Sequence, residues 1–137
     1  MTKDIWLNLP VKDIKRSKKF FSILGFTFNP RFEKSTDTAC LIIGKKELVV
    51  MLFEETIFCG FTQHPLANTG LGSEILISID AESPDEVDEL AKKATEAGAN
   101  LFSPPAEHDW MYGCSFADLD GHRWNILYMD YSKMPKE

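Results

Sequence analysis

The stretch Phe116-Ala-Asp-Leu-Asp-Gly-His-Arg-Trp-Asn-Ile-Leu-Tyr-Met-Asp130 predicts a hairpin turn followed by a long strand. Asp120-Gly121 is a strong signal for a two-residue turn, because glycine takes the positive φ that a tight hairpin needs. After the turn, the alternation of side chains places Trp124 on one face of the strand and Asn125 on the other. Both faces are otherwise largely apolar, so we expect a central strand with a helix on one side and an enclosed space on the other.

The sequence predicts the same order of elements twice: a strand, a helix and three further strands. In the first half, a strand that ends at Pro10 leads to a helix that Asp13 caps. In the second half, the capping-box sequence Ser83-Pro84-Asp85-Glu86 starts the corresponding helix. Matched residues recur at a nearly constant offset, which indicates an internal duplication. These matched residues are Gly25 and Gly98, Cys40 and Cys114, and Met51 and Asn125.

We therefore predict a single α+β domain over residues 1–137, built from two βαβββ modules whose sheets form a concave cavity. The first module covers residues 1–53 and the second covers residues 73–130. A crossover with about one helical turn fills residues 54–72, where glycine, proline and asparagine accumulate. Residues 131–137 form a tail.

The alternation also predicts which side chains face the helices and which face the cavity. On the first strand, Ile5, Leu7 and Leu9 face the helix. The opposite face is too apolar to lie open to water, so we expect it to line a ligand cavity. Trp110, in the loop before the seventh strand, either closes one end of this cavity or packs in the core at the end of a sheet, and both interpretations stay open. The predicted cavity residues are Trp6, Asn8, Met51, Phe53, Leu76, Trp110, Asn125 and Leu127.

Glu74 has the most distinctive chemistry of the predicted cavity face. The alternation in its strand points the carboxylate into apolar surroundings, where it would act as a general base or pair with a cationic ligand. The structural alternative is a hydrogen bond from Asn125 or from water. Both interpretations stay open, because a buried charge without a partner is costly enough to need a reason.

Composition excludes several classes of partner. The net charge is −6 without any basic block, which argues against nucleic acids and anionic membranes. No apolar run approaches the length of a membrane span, and the N-terminus lacks the apolar region of a signal peptide. The three cysteines are an odd number without a CxxC spacing, so we expect a reduced, cytoplasmic protein.

Several motifs resemble the vicinal oxygen chelate superfamily, which includes glyoxalase I, bleomycin-resistance proteins and extradiol dioxygenases. The resemblance covers essentially the whole chain and implies the duplicated βαβββ fold. In the first half it rests on Leu9-Pro-Val-Lys-Asp13 and on the helix end Phe20-Phe-Ser-Ile-Leu-Gly-Phe26. In the second half it rests on Glu96-Ala-Gly-Ala99 and on Phe116-Ala-Asp-Leu-Asp-Gly-His122.

The resemblance implies a metal site, but the residues depart from it. Catalytic members place His, Gln or Glu ligands on the first and last strands of each half. The matching positions here are Trp6 (or Asn8), Met51, Glu74 and Asn125. Glu74 alone is a customary ligand, since indole does not bind metals, thioether suits soft ions and an amide oxygen is weak. We therefore expect no cofactor; a divalent metal held by an unusual set around Glu74 is the alternative.

Three functional hypotheses follow from the sequence. The first is a small-molecule-binding protein like the bleomycin-resistance branch, whose ligand is aromatic or amphipathic. The alternative is a glyoxalase-like lyase or isomerase, or a dioxygenase, with an atypical or metal-free site around Glu74. The third is an interaction module with a collapsed cavity. The resemblance implies that two half-sheets close the cavity face to face, and an apolar concave face is costly to leave in water, so we expect a homodimer.

Overall fold

The computed structural model describes residues 1–135, so the last two residues of the predicted tail 131–137 lie outside the described part. The chain divides into two compact units, of which the first is Met1–Asn68 and the second begins at Thr69. Each unit contains a four-stranded mixed sheet with helices, which confirms the predicted α+β class. Among the described residues, no helix has both the length and the apolarity to cross a membrane.

The first unit has the strand order β1-β4-β3-β2, in which β1 runs parallel to β4 and the other pairs are antiparallel. Helix α1 covers one face of this sheet, where Leu41, Val50 and Leu52 are fully buried. The elements are β1 (Trp6–Val11), α1 (Ile14–Ile23), β2 (Thr27–Phe28), a 3-10 turn (Pro30–Phe32), β3 (Thr38–Ile43), β4 (Leu48–Glu54) and α2 (Glu55–Thr62).

Helix α1 begins and ends where its sequence predicts. The Asp13 carboxylate accepts a hydrogen bond from the backbone N–H of Arg16 at 3.2 Å and so satisfies one of the unpaired donors of the first turn. Phe20 and Phe21 bury their rings against the sheet. Gly25 has a φ of +94°, which ends the helix at a conformation that other residues adopt only at a cost.

Two predictions for the first strand are wrong. The strand continues through Pro10 to Val11, because β1 is an edge strand and proline does not need to donate a hydrogen bond toward solvent. Ile5 is 74% exposed, since it precedes the first ladder pair, Trp6 with Val49, and has no strand to hold it against the core.

The second unit repeats this arrangement, with strand order β5-β8-β7-β6 and with β5 parallel to β8. Its core includes Phe116, Trp124 and Ile126, which are fully buried on the side that α3 covers. The elements are β5 (Leu76–Asp80), α3 (Pro84–Glu96), β6 (Asn100–His108), β7 (Met111–Ala117), β8 (Arg123–Met129) and a 3-10 turn (Tyr131–Lys133).

The predicted capping box starts α3, with one change of partner. The hydroxyl oxygen of Ser83 accepts a hydrogen bond from the backbone N–H of Glu86 at 3.1 Å. The Glu86 carboxylate reaches back to the backbone N–H of Glu82 at 3.1 Å, rather than to that of Ser83. The first contact satisfies the backbone N–H of Glu86 inside the first turn, and the second satisfies that of Glu82 just ahead of it. The sequence signal therefore located the helix start correctly.

The β7–β8 connection is wider than the predicted two-residue turn, because Asp118 organises it. The buried Asp118 carboxylate accepts hydrogen bonds from the backbone N–H of Asp120, the backbone N–H of His122 and the indole N–H of Trp124, each at 3.0 Å. Burial raises the pKa of Asp118, while the positive field of His122 and these hydrogen bonds act in the opposite direction. Gly121 still supplies the positive φ, at +85°.

The two buried cysteines do not occupy matched positions, contrary to the sequence interpretation. Cys40 lies opposite Met51 in its sheet, whereas Cys114 lies opposite Ile126. Met51 faces away from α1 and Ile126 faces α3, so the two thiols lie on opposite sides of equivalent sheets. Burial raises the pKa of Cys114 to about 11, which makes this thiol a neutral core residue rather than a nucleophile.

Candidate functional site

The predicted cavity residues other than Trp110 lie on the sheet faces that the main helices leave uncovered. In each unit we call this the open face: the side opposite α1 in the first unit and the side opposite α3 in the second. Trp6, Asn8, Met51 and Phe53 belong to the open face of the first sheet, as the alternation predicted. The remaining predicted residues belong to the second unit and are described separately below.

A pocket of about 510 Å³ lies on the open face of the first sheet, and we call it the aromatic pocket. Two of its residues come from the strands and the others come from α2. The rings of Phe53 and Phe61 meet edge to face, with their centres 5.0 Å apart. The lining residues are Asn8, Phe53, Phe58, Phe61 and Thr62.

Helix α2 builds the pocket and was predicted as only about one helical turn. It has 8 residues; the Glu54 side chain accepts from the backbone N–H of Thr56 at its start. At its end, Gln63 takes a left-handed conformation with φ +54°. The signal for this helix was the spacing of Phe58 and Phe61, which puts both rings on one face of a helix.

Trp6 and Met51 are beside the aromatic pocket but do not line it. Met51 is the register partner of Asn8, so the two side chains are neighbours across the β1–β4 ladder. Trp6 is two residues before Asn8 on the same face, about 6.6 Å along the strand. The Trp6 side chain is 56% exposed and is available to a larger ligand or to a second protein surface.

On the second sheet, four small polar residues form a row across all four strands, which we call the polar row. Ser78 lies opposite Asn125, Asn125 lies opposite Ser115, and Ser115 lies opposite Ser103. The Ser115 hydroxyl donates to the Asn125 side-chain oxygen at 2.5 Å, and the Asn125 amide nitrogen donates to the Ser78 hydroxyl at 3.3 Å. Asn125 is thereby held in one orientation.

The polar row supports binding rather than proton transfer. None of its side chains titrates near neutral pH, so it offers no general acid or base. Its hydroxyl groups and the amide of Asn125 are suited to orient a polar group of a ligand. Asn125 therefore lies on the open face, as the alternation predicted, and its neighbours Ser78, Ser103 and Ser115 are residues that sequence reasoning missed.

The prediction that the Glu74 side chain is buried is wrong. Glu74 precedes β5, which begins at Leu76, and its side chain is exposed. The residue level with Asn125 is Ser78, four positions further along the chain, or about 13 Å along an extended strand. The Asn125 side chain hydrogen-bonds to Ser115 and Ser78 rather than to Glu74, so water is left as the structural partner of the exposed Glu74 carboxylate.

The other predicted residues of the second unit have distinct surroundings. Leu76 lies on the open face and is 52% exposed. Leu127 lies opposite Gly113, which has no side chain to obstruct it. Trp110 follows β6 in the tight turn to β7, and its ring centre is 6.3 Å from that of Tyr131. Trp110 therefore packs against the C-terminal 3-10 turn, away from the polar row.

The residues at the family's metal-ligand levels do not suit a divalent ion. The register puts Asn8 level with Met51, and Ser78 level with Asn125. The first unit therefore offers an amide and a thioether at this level, and the second unit offers a hydroxyl and an amide. Neither pair contains a customary ligand of Zn²⁺, Ni²⁺ or Fe²⁺. Within residues 1–135, no three His, Cys, Asp or Glu side chains are grouped so that they would hold a metal ion.

A family model described as bleomycin resistance protein-like N-terminal matches residues 3–44, which include β1, α1, β2 and β3. A search of curated proteins gave no significant match.

Solved structures extend the likeness to nearly the whole chain. Hypothetical protein SA1046 from S. aureus is 33% identical, covers 93% of this chain and 94% of its own, and superposes with a TM-score of 0.83. A glyoxalase/bleomycin resistance protein/dioxygenase family enzyme from Burkholderia phytofirmans is 19% identical, covers 90% of this chain and 96% of its own, and superposes with a TM-score of 0.75. TioX from Micromonospora sp. ML1 is 20% identical, covers 93% of this chain and 99% of its own, and superposes with a TM-score of 0.64.

Proposed function

Because the chain belongs to the vicinal oxygen chelate superfamily, we propose that it is a small-molecule-binding protein of the glyoxalase/bleomycin-resistance type. The observation that carries this proposal is the aromatic pocket. Its volume of about 510 Å³ falls within the range of roughly 300–1,000 Å³ that is usual for ligand sites. Three phenylalanine rings supply apolar contact, and Asn8 and Thr62 supply two polar groups that fix orientation.

The proposed ligand is aromatic or amphipathic. Rings such as Phe53 and Phe61, already packed edge to face, favour a flat apolar partner. Phe61 is 67% exposed, so ligand binding would cover apolar surface that now meets water. This gain in binding free energy requires neither a charged group on the ligand nor a chemical reaction of the ligand.

The proposal includes a homodimer in the cytoplasm. Trp6 and Leu76 expose large apolar areas on the open faces, and a second copy would cover them. Light scattering at high micromolar concentration tests the dimer, which a strictly monomeric mass would refute. The unpaired state of Cys40, Cys59 and Cys114 agrees with a reducing compartment.

We expect Phe58→Ala and Phe61→Ala each to weaken binding of a neutral aromatic dye, Nile red, by about fivefold to tenfold. The reason is the loss of one aromatic wall, worth about 1–1.4 kcal/mol. Fluorescence titration of the full chain measures the affinity. Ile23→Ala is the matched control, since Ile23 is a 40% exposed apolar residue of α1 on the other side of the sheet. Equal Nile red affinities of the unmodified protein and the three variants would refute ligand binding in the aromatic pocket.

The enzymatic alternative is tested by metal analysis. We expect protein purified without chelator to contain well under one equivalent of Ni, Zn, Fe or Mn, because neither the pair Asn8 and Met51 nor the pair Ser78 and Asn125 offers a customary ligand. Elemental analysis by mass spectrometry measures the content. Stoichiometric metal that disappears in Glu74→Gln would overturn this expectation and support a glyoxalase-like lyase, isomerase or dioxygenase around Glu74.

A further inference from the structure

Arg123 is a cation on the open face of the second sheet, at the start of β8. Alternation along the strand puts it on the same face as Asn125, two residues away and about 6.6 Å along the strand. The side chain is partly buried, and its Nε atom is screened from solvent without any hydrogen-bond acceptor among the described residues. A buried donor that lacks an acceptor is unfavourable, so this atom is a place where a ligand oxygen would be stabilising.

An aromatic ring holds the guanidinium in place. The Arg123 Cζ atom lies 4.2 Å from the centre of the Phe102 ring. Phe102 belongs to β6, two strands away from β8, so the arginine side chain crosses β7 at the level of its register partner Ala117. The small Ala117 side chain leaves room for this crossing. The β6–β7 register shifts between Asn100 and Ser103, in the segment that contains Phe102.

Among residues 1–135, Arg123 forms no salt bridge with an acidic side chain. Glu74 precedes β5, two positions before Leu76, the register partner of Arg123, and it is exposed. Ser103 lies on β6 next to Phe102, with a hydroxyl that can donate to the same ligand.

We propose that Arg123 is the anchor of an anion-binding site for the carboxylate or phosphonate group of a small organic ligand. The oxyanion binds along the edge of the guanidinium, after a small shift of the side chain, and gives Nε the acceptor that it lacks. Phe102 fixes the plane of the guanidinium, and the polar row lies on the adjacent level of the sheet. This site lies within the second unit and does not depend on the aromatic pocket.

Three probes of similar size test the proposal on the full chain. Benzoate and phenylphosphonate carry the two forms of oxyanion, and benzamidine has the shape of benzoate with the opposite charge. We expect saturable binding of at least one anion by calorimetry, together with a shift of the Arg123 Nε–H resonance in nitrogen-15 NMR spectra. No saturable binding of either anion, an unmoved Nε–H resonance, or benzamidine binding as tight as that of the anions would overturn the proposal.

Arg123→Gln removes the charge and should weaken anion binding by about tenfold or more, equivalent to about 1.4 kcal/mol. Arg31→Gln is the matched control, because Arg31 also lies over a ring, with Cζ 5.9 Å from the centre of Phe32, but is exposed. Equal losses in both variants, or no loss in Arg123→Gln, would overturn the proposal. If Arg123→Gln does not fold, the Nε–H shift in the unmodified protein decides.

Discussion

Replacing Asp118 by alanine is expected to lower the free energy of unfolding by about 3–5 kcal/mol. The change removes the acceptor of the backbone N–H groups of Asp120 and His122 and of the indole N–H of Trp124. Each donor is left without its protein partner in or beside the core, and such a loss costs about 1–3 kcal/mol apiece. Chemical denaturation followed by circular dichroism measures the change.

Asp130→Ala is the matched control for this prediction. Asp130 also organises a turn, since its carboxylate accepts from the backbone N–H of Ser132 at 3.1 Å and from its hydroxyl at 2.5 Å. These contacts are exposed, so water replaces the lost acceptor and the loss of stability is expected to be much smaller than that of Asp118→Ala. Similar losses in the two variants would mean that burial of Asp118 does not determine the stability of the hairpin.

The second large effect is expected for Gly113→Ala, which should destabilise the protein by about 2–3 kcal/mol. A Cβ atom at Gly113 would lie 2.6 Å from the backbone oxygen of Ile126 and 2.6 Å from the Cδ2 atom of Leu127. The leucine side chain can move, but the carbonyl belongs to the neighbouring strand. Relief therefore requires β7 and β8 to separate locally, which lengthens the hydrogen bonds between them.

Gly60→Ala provides the control for Gly113→Ala. Gly60 lies in α2, and an added Cβ atom would have no neighbour within 4 Å. Alanine is the better helix former by about 1 kcal/mol, so this change should be neutral or stabilising. Thermal and urea unfolding measure both variants. A Gly113→Ala protein as stable as the unmodified one would show that the β7–β8 pair adjusts without cost.

Patterns that depend on nearest neighbours in sequence predicted much of the fold. The two-residue period of β8 located a buried face at Trp124, and this residue is fully buried. The caps Asp13 and Ser83 located the starts of the two long helices, because a cap needs only the three or four residues that follow it. The duplicated order of elements then followed from the arrangement of these signals along the chain.

The functional surfaces were harder to predict, because they depend on how strands align with one another. A sequence shows that Glu74 and Ser78 share a face in an extended strand, but the β5–β8 register decides which of them meets Asn125. The register selects Ser78. Likewise, the aromatic character of Phe58 and Phe61 is visible in the sequence, whereas their return onto the open face requires α2 to fold back against β1 and β4.

The edge position of β1 and β5 has a consequence for the order of folding. Each of these strands pairs in parallel with the last strand of its own sheet, as in the pairs Trp6 with Val49 and Leu76 with Arg123. Closing such a long loop has a high entropic cost, whereas the antiparallel hairpins of each sheet need only local closure. We therefore expect the antiparallel hairpins to form first and the strands β1 and β5 to dock last. Since β1 supplies Asn8 and β5 supplies Ser78, we expect the aromatic pocket and the polar row to be completed only in the final step of folding. If these surfaces bind a ligand as proposed, transient opening of the two strands would release it without unfolding the core.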